Sequence, residues 1–352
     1  MYKSVTTSVL VIMVALLGLA TTVGVSAAKP IIPVFVLNNI DWTSASVGGV
    51  GNGPATIVLS GVTGPVKRAT LYWMGIDNFG PYGPATLPGP AGSQGGKEEL
   101  LLERTQVPTA CDGVYGAATI MFNGNPITGG STGDATTNCW GGGSSRGYRA
   151  DVTAYVAGDG SYTLSGLKAD ECDNVNGASL IVTYDDGVTT NNRDLVFFEG
   201  NDSNFSAGFP GETDGWHAVL PGITYRTGSV FVDLFLGDGQ TFLSAGLDDN
   251  SLTFTAGGPS VVVPDGTCIY DGCSTPNAGL GRASNGSLWD ANSADITGCF
   301  TVPATYTLAM DGQDPFYDCT GLILAIIDLQ AGAAPVPVSP TSWGKVKATY
   351  HR

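Results

Sequence analysis

Short runs in which apolar and polar residues alternate recur along the chain, each closed by Gly, Asn, Asp or Pro. That is the pattern of half-buried strands joined by turns. It predicts strands at residues 69–74, 118–123, 161–164, 178–184 and 194–198, then at 229–236, 251–255, 305–309 and 322–329. Long amphipathic stretches with Glu/Lys faces are missing, so the chain reads as all-β. Residues 79–96, rich in Pro and Gly, and the Gly-rich residues 128–145 read as long surface loops.

The pattern also repeats. At a constant offset of 144 residues, Ala150-Asp151-Val152-Thr153 recurs as Ala294-Asp295-Ile296-Thr297, and Tyr162-Thr163-Leu164 as Tyr306-Thr307-Leu308. Asp170 falls on Asp314, Gly177 on Gly321 and Leu180 on Leu324, giving nine identities in 33 positions. Unrelated segments of that length would share about two, so a duplicated unit is expected. A unit of four or five strands cannot hide both sheet faces alone, and strands spaced by long loops favour jelly-roll or Greek-key connections. The expected layout is a leader over 1–28, a first β-sandwich unit over 29–200, a second over 201–330, and a Pro-rich linker with a short basic tail over 331–352.

The leader rests on Lys3, an uncharged apolar run at 9–20, and the small residues Ser26-Ala27-Ala28. This is the layout of a secretory signal peptide, too short in its apolar run for a spanning helix, so a secreted or cell-surface location is expected. No later run is a transmembrane candidate. The net charge of −16 makes nucleic acid and anionic lipid improbable partners. A charged fraction of 13% beside 51 glycines suits a turn-rich β protein wetted by hydroxyls and amides. In an exported chain seven cysteines read as disulfides plus one leftover thiol, with no CxxC or Cys/His cluster to suggest zinc. The repeat places Cys299 and Cys319 at the two ends of one meander, so they are expected to pair. Cys268 and Cys273 flank a tight turn and are expected to form a local ring. Two of Cys111, Cys139 and Cys172 should pair in the first unit, Cys111 with Cys139 being the first choice because they bracket the strand at 118–123.

Several motifs in order carry a resemblance: Ala69-Thr-Leu-Tyr-Trp-Met-Gly75, Phe122-Asn-Gly124, Arg149-Ala-Asp-Val-Thr-Ala-Tyr-Val156, Gly177-Ala-Ser-Leu-Ile-Val-Thr-Tyr-Asp-Asp186, Phe197-Phe-Glu-Gly200 and Gly237-Asp-Gly-Gln240. Together, over residues 33–330, they resemble an uncharacterised family of exported β-sandwich proteins from bacterial and archaeal cell-surface and adhesin-like proteins. The resemblance implies an extracellular β scaffold and transfers no catalytic residue.

Candidate chemistry is thin. The histidines are His217 and His351, and the G-x-S-x-G match at Gly143-Ser144-Ser145-Arg146-Gly147 lacks the strand-then-helix setting of a nucleophile elbow. Asp151 and Asp295 recur in both units, which reads as a turn or strand-end role. Oxygen-rich segments around Asp170 and Asp173, and around Asp311, Asp314 and Asp318, make Ca²⁺ the candidate ligand, although turn acids ordinarily bond their own backbone. Trp140 and Trp216 lie in loops where rings could stack on sugars, whereas Trp73 reads as core. Asn201, Asn204 and Asn285 begin glycosylation sequons. The function expected is a non-catalytic structural or adhesive module meeting cell-surface proteins, glycans or copies of itself. The alternative is an exported hydrolase of polysaccharide or peptide.

Overall fold

Residues 322–329 read LILAIIDL, apolar almost throughout, whereas ATIVL at 55–59 buries every second side chain. The computed structural model explains the contrast. It describes residues 29–48, 54–77, 118–135, 144–167, 173–202, 217–237, 252–263, 289–312 and 321–332. The first run is β17 (Gly321–Gln330), covered on both faces, and the second is β2 (Ala55–Leu59), covered on one. The other strands of the first half are β1 (Lys29–Gly48), β3 (Val66–Asp77), β4 (Thr119–Phe122), β5 (Asn125–Thr128), β6 (Gly130–Ala135), β7 (Ser144–Asp151), β8 (Gly160–Ser165) and β9 (Asp173–Tyr184). The second half adds β10 (Arg193–Asp202), β11 (His217–Tyr225), β12 (Val230–Gly237), β13 (Leu252–Thr255), β14 (Val261–Val263), β15 (Trp289–Asp295) and β16 (Ala304–Gly312). The described chain is all-β, and every one of the nine predicted runs overlaps a strand. Among the described residues no helix is long and apolar enough to cross a membrane.

A nine-stranded sheet in the order β15-β12-β17-β10-β1-β9-β3-β7-β6 is flanked by two four-stranded sheets, β11-β16-β13-β14 and β2-β8-β4-β5. β1 joins the halves. Its Lys29 to Ile40 segment pairs with β10, and its Asp41 to Gly48 segment pairs with β9. Between them the register shifts, and Asn39 takes φ 53°, a left-handed conformation that Asn tolerates better than most residues. Asn39 N–H donates to Asp194 Oδ1 at 2.8 Å, and Asn192 Nδ2 donates to Asn39 O at 3.0 Å, so both sides of the bend are tied to the start of β10.

Three apolar clusters follow from strand alternation. On β3, Leu71 and Trp73 face the first small sheet, whereas Tyr72 and Met74 face the other way. On β17, Ala325 and Ile327 face the second small sheet, and Leu324 and Ile326 join Tyr72 and Met74. The two halves of the large sheet therefore pack on each other, and the small sheets form the outer layers of two sandwiches. Backbones approach closely at this contact. A Cβ on Gly177 would lie 2.4 Å from Trp289 Cβ, and one on Gly133 would lie 2.6 Å from Asn201 N. Gly133 explains a correction to the sequence reading. Part of the expected loop at 128–145 is the strand β6, and its glycine makes room for the β10 backbone.

Strand pairing follows the same order in both halves. β3 lies between β9 and β7 as β12 lies between β17 and β15, and β8 lies between β2 and β4 as β16 lies between β11 and β13. Asp151 ends β7 and accepts Thr153 N–H at 2.9 Å; Asp295 ends β15 and accepts Thr297 N–H at 2.9 Å. Thr153 Oγ1 then accepts Ala69 N–H at 3.0 Å, and Thr297 Oγ1 accepts Val230 N–H at 2.9 Å. Tyr162 Oη donates to Gly158 O at 2.5 Å, and Tyr306 Oη to Val302 O at 2.7 Å. β10, which the sequence reading puts in the first unit, pairs with β1 on one side and β17 on the other.

Candidate functional site

Several of the buried charged and polar side chains converge on the face between the two halves. On β10, Arg193, Leu195, Phe197, Glu199 and Asn201 alternate toward it, because successive side chains of a strand point to opposite faces. Glu199 is buried and accepts from Tyr72 Oη at 2.6 Å. Arg149 Nη1 reaches both of its oxygens, at 2.7 and 2.6 Å. Burial, and next the Glu199 charge, hold the Tyr72 phenol well above its ordinary pKa, so it stays a neutral donor. A carboxylate held this way has both oxygens committed and is well suited as a cross-link.

At the Arg193 end, Arg193 Nε donates to Asp328 Oδ1 and its Nη1 to Ser229 Oγ at 3.1 Å. Trp42 Nε1 donates to Asp328 Oδ2 at 3.1 Å. Burial raises the Asp328 pKa, and its bond to Arg193 opposes the rise. Beside this pair stands Asp233, on the same face of β12 as Phe235. Burial pushes its carboxyl up to about 7, with a smaller push from Asp328, while a hydrogen bond from Ser293 and the Arg193 charge oppose the shift. The residue keeps partial exposure, but its Oδ2 is buried and has no hydrogen-bond partner.

At the other end, Asn201 Nδ2 donates to Ser145 Oγ at 2.9 Å, while Asn201 Oδ1 is buried without a partner. Ser145 is the serine of the G-x-S-x-G match, and it lies buried within the strand β7, where a nucleophile elbow would need a turn. Burial of Asn201 also removes its sequon as an acceptor on the folded chain. Trp73 is core, as expected, and Trp289 Nε1 is spent on Ser179 Oγ at 2.9 Å. Acids in turns hold backbone. Asp159 accepts Gly61 and Val62 N–H at 3.1 and 2.7 Å, and Asp41 accepts Asp186 N–H at 3.0 Å.

Of the calcium candidates, Asp173 begins β9 in the large sheet, and Asp311 lies near the end of β16 in an outer sheet. Asp170, Asp314 and Asp318 lie outside the described residues, as do Trp140 and Trp216. Among the described residues no group of three or more His, Cys, Asp or Glu is arranged to hold a metal ion. Cys299 is a buried free thiol, and Cys319, its expected partner, lies outside the described residues. The 3-10 turn Thr297–Cys299 aims Cys299 into the second core, where Sγ donates to Phe254 O at 3.3 Å and burial raises its pKa. Cys111, Cys139, Cys172, Cys268 and Cys273 also lie outside the described residues.

The sequence reading named neither the Glu199 cross-link nor the Asp233–Asp328–Arg193 cluster. One signal was present: a lone Asp inside an apolar strand, in VFVDLFLG and in LILAIIDL.

No family model matches the chain, and no curated protein matches it. Solved structures give weak likenesses. An exo-β-1,3-galactanase of Phanerochaete chrysosporium with galactose is 13% identical over 82% of this chain and 57% of that one, with a TM-score of 0.25. An isomalto-dextranase of Arthrobacter globiformis with panose is 12% identical over 51% of this chain and 28% of the other, with a TM-score of 0.20. A peptide-N(4)-(N-acetyl-β-D-glucosaminyl) asparagine amidase is 10% identical over 88% and 97%, with a TM-score of 0.24. The chain thus spans 57% of the length of the galactanase. Likenesses at these scores carry no argument about fold or activity.

Proposed function

We propose that this chain is an extracytoplasmic structural or adhesive module, built from two copies of one β-sandwich unit, that acts by assembly rather than by catalysis. The observation that carries the reading is where its charged side chains go. Glu199, Asp328 and Asp134 are each paired with an arginine, and Asp41, Asp151, Asp159, Asp186, Asp194 and Asp295 accept backbone N–H groups. These nine acids thus hold the fold together. Support for export comes from the leader-like residues 1–28. Fractionating the source cells tests the location. Recovery from the envelope or medium, with an N-terminus near residue 29, is expected, and a cytoplasmic protein that keeps residues 1–28 overturns it.

A hydrolase reading has one observation in its favour, the raised carboxyl of Asp233 near Asp328. The burial of Asp233 Oδ2 speaks against it, because a substrate has no path to that oxygen. Glycan- or peptide-hydrolysing activity lost in Asp233→Asn and Asp328→Asn, with folding intact, would restore the hydrolase.

A further inference from the structure

The first outer sheet differs from the rest of the molecule in charge. Its strands read ATIVL, GSYTLS, TIMF and NPIT, without one Asp, Glu, Lys, Arg or His. The large sheet behind it holds Lys67, Arg68, Asp77, Arg146, Arg149 and Asp151 on β3 and β7 alone. This reverses the ordinary arrangement, in which charge lies on the solvated layer and apolar residues lie within. The second outer sheet is nearly as bare, with His217 facing Asp311 at one end of its register.

The bare face is also regular. Thr56 stands opposite Thr163, Val58 opposite Ser161, and Thr119 opposite Thr128, with the last pair's hydroxyls 3.0 Å apart. All six are exposed, and Val58 is 67% exposed, the highest value among the large apolar side chains. β-branched residues in rows on one face of a sheet are what a second sheet packs against.

We infer that this outer face is a self-association surface whose occupant is the same face of a second copy of the chain. The inference rests on the assembly reading above and names the partner. Charge selects it. Two chains of net −16 repel wherever their acids oppose each other, and on β2, β4, β5 and β8 none do. A cationic partner would be drawn to the acidic parts of the molecule instead. A neutral glycan would ask for an exposed ring, but Phe122 and Tyr162, the aromatic residues of these strands, are both buried. At the β5 edge Pro126 cannot donate to an added strand, and the contact inferred is through the face. A surface that meets its own copy gives a two-fold dimer.

Sedimentation velocity on the purified protein tests this over a range of concentrations at low and high salt. Dimers that grow with concentration, and grow further with salt as the mutual repulsion is screened, are expected. Val58→Asp/Thr119→Asp places four like charges in the contact and should weaken dimerisation at least tenfold. Val188→Asp, at an exposed valine outside the sheet, should leave it unchanged. Circular dichroism and thermal melts establish that each variant folds. A protein that stays monomeric at every concentration and salt overturns the inference. So does a monomer that binds neutral glycan through this face. Dimers undiminished in the double variant overturn the face but leave the assembly reading standing, whereas a monomer with hydrolytic activity overturns both.

Discussion

Glu199 and Asp233 both point into the face where the two halves meet, and they are held in opposite ways. Glu199 takes its donors from across that face, Tyr72 on β3 and Arg149 on β7, and it is buried as a paired anion. Asp233 has neighbours from the second half alone: Ser293 on β15, Asp328 on β17 and Arg193 on β10. Burial keeps Asp233 protonated up to about pH 7, and Arg193, hydrogen-bonded to Asp328, opposes this without overcoming it. Where both halves contribute donors the interface carries a charge; where one half contributes alone, the cheaper solution is neutralisation.

Removing the cross-face donor is the hardest test of that contrast. Arg149→Ala leaves Glu199 buried and unpaired, and should cost about 3–5 kcal/mol in urea unfolding. Adding Glu199→Gln should recover part of the loss. A cost below about 1 kcal/mol would mean that the pair contributes little to the interface.

The next effect is one of pH. A carboxyl that titrates near 3.9 when unfolded and about 7 when folded binds an extra proton in the native state between those values, so stability falls as pH rises through that window. Asp233→Asn should abolish the fall. At pH 8 the variant should be more stable than the parent by on the order of 2–4 kcal/mol, with little difference at pH 4. Parallel melting curves across this range would remove Asp233 as the odd member of the comparison.

The smallest effect compares the halves directly. Thr153→Ala and Thr297→Ala each delete the hydroxyl that accepts the first N–H of an equivalent strand pair, and each should cost about 1 kcal/mol. Unequal losses would show that the two turns share geometry but not energy.

The outer strands β4, β8, β13 and β16 and the doubly buried β17 were legible in the sequence because alternation and unbroken apolar runs report how many faces a strand buries. The turn roles of Asp151 and Asp295 were legible because they recur. β1 was not, since Asn38-Asn39-Ile40-Asp41 interrupts it with polar residues that serve the bend. The strands β2, β5, β7, β11, β14 and β15 were missed as well: β5 and β14 are short, β11 carries an internal Pro-Gly, and β7 and β15 are largely polar. The Glu199 cross-link was out of reach of any local pattern, because its partners lie 127 and 50 residues away in the chain.

β1 has a consequence for how the chain reaches its native state. The strand is made early, and Asp41 to Gly48 find β9 within the first half, but Lys29 to Ile40 must wait for β10. Until residues 193–202 emerge, those backbone groups form an unpaired edge, open to mispairing with neighbouring chains. Closing that contact spans more than half the described sequence, and contacts so distant are made slowly. This early segment is thus among the last to settle, and a chaperone that guards the growing chain would hold it there.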